Sequence, residues 1–219
     1  MSAASRAVHN SGDEFGQVNQ LVAAALYCRR LQLQPRQNAV PMTMFTQDTL
    51  RHYRWPVSAS RIIAASRAQI WSTISTPGIL ERCHPFCARN PVHRWPGVGS
   101  KDEIHYYSGW VMQRTFVNWV DGVGYDLLIG REGGSQSFVS WRIAGVGDNA
   151  GKLTITIYPH AYQHLPVAIR WLPYVLKIQP ELRKYLQSVV RGFEWYIVTK
   201  QSVRKNQFGS HRWFSSEDA

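Results

Sequence analysis

Residues 83–87 read Cys83-His84-Pro85-Phe86-Cys87, two thiols and an imidazole within five positions. Donors of this type could hold a transition metal, but a structural zinc site takes four ligands, usually from paired clusters. The third cysteine, Cys28, stands far away and alone, so a local loop is the favoured reading, with no metal or other cofactor expected. His105, His160 and His164 are the remaining imidazoles that could act as general acid or base near a cavity. Arg114 is the other group of interest. Turned inward, a guanidinium is costly unless paired and is a natural anchor for a carboxylate or phosphate. Turned outward it is one of many surface arginines, the slightly favoured placement.

Periodicity and turn signals show which elements would position these groups. Residues 14–33 carry Val18, Leu21, Val22, Ala25 and Leu26 at helical spacing, and residues 35–56, with Pro35, Pro41 and Pro56, read as a linker. A strand is expected over Ser58–Ala65. Ser66 suits an N-cap for a short helix over Arg67–Ile74, and Pro77 opens a second one running to Cys83. Strands then follow at Ala88–Trp95, Lys101–Tyr107, Trp110–Val120, Tyr125–Ile129, Ser135–Ile143 and Lys152–His160, each bounded by Gly, Pro, Asp or Ser. Short strands joined by tight turns predict an antiparallel meander. A long helix closes the set: Pro180 and Glu181 suit its first turn, and Leu182, Leu186, Val189, Phe193 and Ile197 form one apolar stripe to about Lys200.

Alternation predicts the buried face. Leu153, Ile155 and Ile157 alternate with Thr154, Thr156 and Tyr158, and Val139, Trp141 and Ile143 with Ser140 and Arg142. Strict period two means one face buried and one solvated. Ile104, Tyr106, Tyr125, Leu127 and Ile129 extend the buried set, which puts His105 and His160 on the wet face. Residues 110–120 are apolar on both faces, so the facing of Arg114 stays open. No Asp or Glu is expected on the inward positions, and such a cavity is poorly equipped for proton transfer.

The whole chain of 219 residues, 44% hydrophobic and 18% charged, is long enough for one sizeable core plus an extension. Nine Trp and ten Tyr suit a semi-polar cavity, although packing in a core is the favoured reading for any single ring. The net charge of +11 is spread along the chain without a basic block, which argues against nucleic acid as a partner and leaves anionic lipid or anionic ligands open. Three cysteines cannot build a disulfide framework, so a reducing cytoplasm is the expected location. No apolar run reaches transmembrane length, and Leu21–Tyr27 lacks the preceding positive charge of a signal peptide.

The order strand, two short helices, meander, long helix is that of helix-grip proteins, and local motifs resemble the SRPBCC superfamily. They are Ile63-Ala64-Ala65-Ser66-Arg67-Ala68-Gln69-Ile70-Trp71, Ser75-Thr76-Pro77-Gly78-Ile79-Leu80 followed by His84-Pro85-Phe86, Trp95-Pro96-Gly97-Val98-Gly99, Val139-Ser140-Trp141-Arg142-Ile143 and Val190-Arg191-Gly192-Phe193. That superfamily includes START lipid-transfer domains, birch-pollen-allergen-type proteins and polyketide cyclase/dehydrase-like proteins, the last being the branch most resembled. The resemblance covers residues 57–200 and implies an α+β helix-grip domain, a curved antiparallel sheet of six to seven strands around the terminal helix. Residues 1–56 are then an N-terminal extension and 201–219 a tail aromatic enough to dock back on the domain.

The resemblance also implies an internal cavity for a lipid-like, polyketide-like or aromatic molecule. Its expected lining is Trp71, Ile104, Tyr106, Tyr125, Leu127, Val139, Trp141, Ile155, Ile157, Val189 and Phe193, with Arg114 if it faces inward. The stretch Leu165–Ile178 lies where helix-grip proteins tend to have their cavity mouth. Its Trp171 joins the ligand-binding set if the segment is a lid, the preferred functional reading; the alternatives are a membrane-surface segment with Arg170 and Lys177 snorkelling and a segment simply packed against the sheet. Carriage of a hydrophobic molecule is therefore the first functional expectation. A cyclase or dehydratase using Tyr or His, and a peripheral membrane protein, are the alternatives.

Overall fold

The computed structural model describes residues 55–160 and 166–215, all within one compact unit. The expected helix over residues 14–33, nearly all of the linker, and His164 lie outside the described residues. Strand β1 (Val57–Ile63) leads into α1 (Arg67–Ile74). Ser66 caps α1 reciprocally: its Oγ accepts from the Gln69 amide at 3.3 Å, while Gln69 Oε1 accepts from the Ser66 amide at 2.8 Å. Helix α2 covers only Leu80–Cys83. Gly78, at φ +71°, adopts a left-handed conformation that no right-handed helix can contain, so residues 77–79 form a turn instead.

The strand expected over Ala88–Trp95 divides into β2 (Cys87–Arg89) and β3 (Val92–Arg94). Pro91 has no amide hydrogen to give a ladder. The Asn90 side chain turns inward at the break, donating to the Glu103 carbonyl at 2.6 Å and to Asp102 Oδ2 at 3.2 Å. The meander continues through β4 (Lys101–Tyr106), β5 (Val111–Val120), β6 (Gly124–Gly130), β7 (Gln136–Gly145) and β8 (Gly151–Tyr158). The split raises the described sheet to eight strands, in the order β1-β8-β7-β6-β5-β4-β2 with β3 also on β4, and every pairing is antiparallel.

Register explains why β5 has no legible facing. Phe116 stands opposite Leu127 and Asn118 opposite Asp126, so the bulge between them takes up one extra residue and reverses the phase of alternation. Before it Met112, Arg114 and Phe116 face inward; after it Trp119 stands opposite inward Tyr125, its ring stacked on Tyr125 at 5.3 Å and edge-on to Trp71 at 5.4 Å.

Beyond β8 the chain forms α3 (Val167–Pro173), one π-helical turn (Tyr174–Ile178) and the long α4 (Gln179–Thr199). Pro173 and Pro180 flank that turn, and each lacks the amide hydrogen that a regular α-helical ladder would use there. Leu182, Leu186, Val189, Phe193 and Ile197 of α4 are all buried, as the stripe requires. Gly192 lets α4 lie directly on α2, since a Cβ at that position would stand 2.0 Å from the Cys83 carbonyl oxygen. Residues 201–215 then pack back over this junction, with the Val203 amide donating to Arg82 O at 2.8 Å and the Asn206 amide to Pro85 O at 3.0 Å.

Candidate ligand cavity

Between the concave face of the sheet and α4 lies a cavity of about 520 Å³. Its walls are apolar side chains at alternate positions of neighbouring strands: Ile104 and Tyr106 from β4, Met112 from β5, Leu127 and Ile129 from β6, Val139 and Trp141 from β7, Ile155 and Ile157 from β8. Helix α4 closes it with Leu182, Tyr185, Leu186 and Val189. Arg131, Gly134 and Ser135 of the β6–β7 turn, with Trp110, line an end of the cavity where all four are exposed, so the space reaches the surface there.

Nine of the expected lining residues border this space: Ile104, Tyr106, Arg114, Leu127, Val139, Trp141, Ile155, Ile157 and Val189. Four do not. Tyr125 and Trp71 belong to an aromatic plug with Trp95, Phe116 and Trp119, in which Trp95 Nε1–H donates to Ser75 O at 2.9 Å. Phe193 is fully buried behind the wall, edge-on to Trp141 at 5.1 Å. Trp171 on α3 is 50% exposed and is not among the residues that line the cavity.

Arg114 faces inward, against the slight preference for the surface, and it does not stand there alone. Asp102, on the same face of β4 as Ile104 and Tyr106, is buried and accepts from Arg114 Nε at 2.6 Å and from Nη2 as well. The expectation that no carboxylate falls inward is thus corrected. Burial works against the guanidinium charge, but the Asp102 carboxylate outweighs it and holds Arg114 firmly protonated.

His84 is a cavity-lining residue that sequence reasoning left in a loop. Helix α2 ends at His84, and the docking of α2 on Gly192 presents its ring to Tyr185 of α4. Its Nδ1 accepts from the Phe86 amide at 3.2 Å, and its Nε2 lies 2.9 Å from Tyr185 Oη, which lies 2.9 Å from Tyr106 Oη. All three side chains line the cavity. Burial, reinforced by the Arg114 charge, lowers His84 to about 3, and burial raises both phenols. The neighbouring thiols are buried and stay protonated, Cys87 being pushed up to about 12 by burial. Both nitrogens of His84 are thus committed to hydrogen bonds.

The remaining histidines divide. His105 faces outward, its Nε2 bonded to Glu103 at 2.7 Å. His160 is not a wet-face residue: it is half-buried at the cavity rim, bonded through Nδ1 to Ser137 Oγ at 2.8 Å, and burial lowers its pKa. The tail contributes too. Phe214 stacks on Tyr106 at 4.5 Å and tilts against Tyr185 at 4.6 Å, and both Phe214 and Trp213 border the cavity.

A sheet curled around one long helix, with two short helices after the first strand, decides the architecture. The fold is the helix-grip fold. DynU16, from the dynemicin biosynthetic locus, superposes at a TM-score of 0.53 with 12% identity, over 69% of this chain and 51% of that one, so the chain spans about half the length of DynU16. A START superfamily protein from Mycobacterium smegmatis gives 0.52 at 15% identity (67% and 99% covered), and Ara h 8.0201 gives 0.51 at 11% (66% and 98% covered). No protein-family model and no curated protein matches the sequence. Identities this low speak to fold alone, and the fold accords with the SRPBCC resemblance of the motifs.

Proposed function

We propose that the protein binds a hydrophobic small molecule, lipid-like, polyketide-like or aromatic, in the cavity between sheet and α4. The observation that carries this reading is a surface-connected space of about 520 Å³ whose walls are apolar, with its polar groups gathered in a few places. That size and composition suit a site where apolar burial supplies affinity and a few polar atoms orient the ligand. Acid–base catalysis is less well supported. His84 is held near 3 and the two phenols are raised, so none of the three exchanges protons readily near neutral pH.

Native mass spectrometry of the purified protein, together with titration of Nile red, tests the proposal. A co-purifying apolar mass or saturable dye binding near one equivalent is expected, and dye binding should weaken in Val139→Arg, which places a charge in the wall. Neither a bound mass nor saturable binding would overturn it.

A second reading concerns where such a ligand would be collected. Ile169, Trp171, Leu172, Val175 and Leu176 are exposed on α3 and the π-turn, with Lys177 exposed beside them. The preferred lid reading would have covered these side chains; among the described residues of the segment only Tyr174 is buried, its hydroxyl donating to the Trp55 carbonyl. Contiguous exposed apolar residues of this number mark an interaction surface, and with the basic charge of the chain they fit an anionic lipid surface. No described helix is long and apolar enough to cross a membrane.

A further inference from the structure

We infer that the cavity's polar corner is a hydrogen-bond-donor subsite for a neutral oxygen acceptor, so that the ligand is an apolar molecule carrying a ketone-, aldehyde- or quinone-type carbonyl. The inference rests on the cavity-binding proposal and deepens it.

It follows from counting hydrogens. Because the Phe86 amide donates to His84 Nδ1, the imidazole proton sits on Nε2, and that N–H must donate to Tyr185 Oη. Tyr106 and Tyr185 bring two phenolic hydrogens, and only one of them fits in the 2.9 Å contact between the two oxygens. If Tyr185 donates to Tyr106, the hydrogen left over is on Tyr106; if Tyr106 donates to Tyr185, it is on Tyr185. Either way one phenolic O–H has no acceptor among the described residues, and both rings border the cavity and are otherwise buried. A donor removed from water and left unmade is costly, so an acceptor arriving in the cavity gains from it.

Charge decides between neutral and anionic acceptors. Arg114 lies on the same wall, but its Nε and Nη2 are committed to Asp102 and the pair is electrically neutral. A ligand carboxylate would be stripped of water without an uncompensated cation to meet it. A carbonyl oxygen loses far less hydration and accepts the phenolic hydrogen left over between Tyr106 and Tyr185.

The test uses three compact naphthalenes that differ at one position: 2-acetylnaphthalene, 2-ethylnaphthalene and 2-naphthoate. Affinities come from displacement of Nile red from the full-length protein, and the bonding state from the infrared stretch of a ¹³C-labelled acetyl carbonyl. The ketone is expected to bind about 3- to 10-fold more tightly than the hydrocarbon, the value of one net hydrogen bond, with its stretch lowered relative to hydrocarbon solvent, and the carboxylate is expected to bind most weakly. Tyr106→Phe alone still leaves one unused phenolic hydrogen, on Tyr185, so the lowered stretch should persist there. Tyr106→Phe/Tyr185→Phe, made on a His84→Leu background so that the imidazole N–H is not freed in place of the phenols, removes every donor of the corner, and the lowered stretch should disappear. Equal binding of ketone and hydrocarbon with an unshifted stretch overturns the subsite while leaving cavity binding intact, and this wild-type arm stands even if the triple variant does not fold. Tightest binding of the carboxylate, or a lowered stretch that survives in the triple variant, also overturns it. If none of the three displaces the dye and the dye itself does not bind, the cavity proposal fails and takes the subsite with it.

Discussion

Two buried polar constellations define this cavity at the residue scale, and each carries a measurable consequence. The Arg114–Asp102 pair is satisfied only as a pair. Removing one partner strands a buried charge, so Asp102→Asn should destabilise the fold by about 3–5 kcal/mol in denaturant titration, while Arg114→Met/Asp102→Leu should cost far less. A single-variant loss below about 1 kcal/mol would show that water reaches the guanidinium. His84 makes stability pH-dependent. Its value is near 3 in the fold against 6.5 for the free group, so between them the unfolded chain binds more protons. The contribution is whole above pH 6.5 and is lost as pH falls toward 3, by up to about 1.4 kcal/mol per pH unit. His160 and His211, also lowered by burial, add to the same slope. The stability-versus-pH slope of His84→Asn in that window should be shallower by about one proton; an unchanged slope would mean that His84 is already charged in the native state. Neither constellation was legible as such. Asp102 lies in phase with Ile104 and Tyr106, so the expectation of no inward carboxylate overlooked the alternation that placed those two, and its partner sat on a strand of unreadable phase. His84 showed only as a member of a Cys-rich loop, because its partner Tyr185 is 101 residues away in the chain.

At the scale of elements, regular periodicity was readable and its interruptions were not. The α4 stripe and the alternation of β7 and β8 named the cavity walls in advance, since a period of 3.6 or 2 survives any tertiary arrangement. The bulge in β5 reversed that period half-way, and Pro91 divided one expected strand into two. Trp71, Tyr125 and Phe193 also lie on the predicted buried faces. Whether such a residue lines space or fills it depends on the neighbours that reach it from other elements, which one strand's pattern does not record. The segment from α3 through the π-turn is the clearest instance. Its apolar content was plain, but its exposure depends on packing between elements, which a sequence pattern does not record. If it meets lipid, the protein should co-sediment with vesicles containing anionic lipid at low salt and less at high salt, because each nearby cation contributes roughly 1 kcal/mol before screening. Trp171→Glu should abolish that co-sedimentation while leaving Nile red binding in place, since Trp171 lies outside the cavity lining. Dye binding weakened by the substitution without any vesicle binding would support the lid instead.

For the molecule as a whole, the cavity is a product of both chain ends of the domain acting on one sheet. Strand β1 pairs with β8 along its whole length and so joins the start of the domain to its last strand, fixing the surface on which α4 lies. The residues after α4 then supply a wall that the helix-grip elements leave open. Lys200, in a left-handed conformation at φ 61°, ends α4 and turns the chain back. His211 is buried with its Nε2 bonded to the Glu181 carbonyl at 3.0 Å, its ring stacks with Phe214 at 5.0 Å, and Phe214 in turn covers Tyr106 and Tyr185. The aromatic content of this stretch was visible in the sequence; its place against the polar corner was not, because it depends on contacts separated by about a hundred residues. Two consequences separate a wall from a loosely attached end. Phe214→Ala should lower stability by about 3–5 kcal/mol, the range for truncating a buried aromatic. A chain ending at Lys200 should lose at least as much and should also expose Tyr106 and Tyr185 to solvent. Their hydroxyls would then find water, so any preference of the intact protein for the ketone over the hydrocarbon should shrink along with stability. A truncated chain that unfolds at the same denaturant midpoint, with cavity binding unchanged, would show that residues 201–215 lie on the fold without completing it.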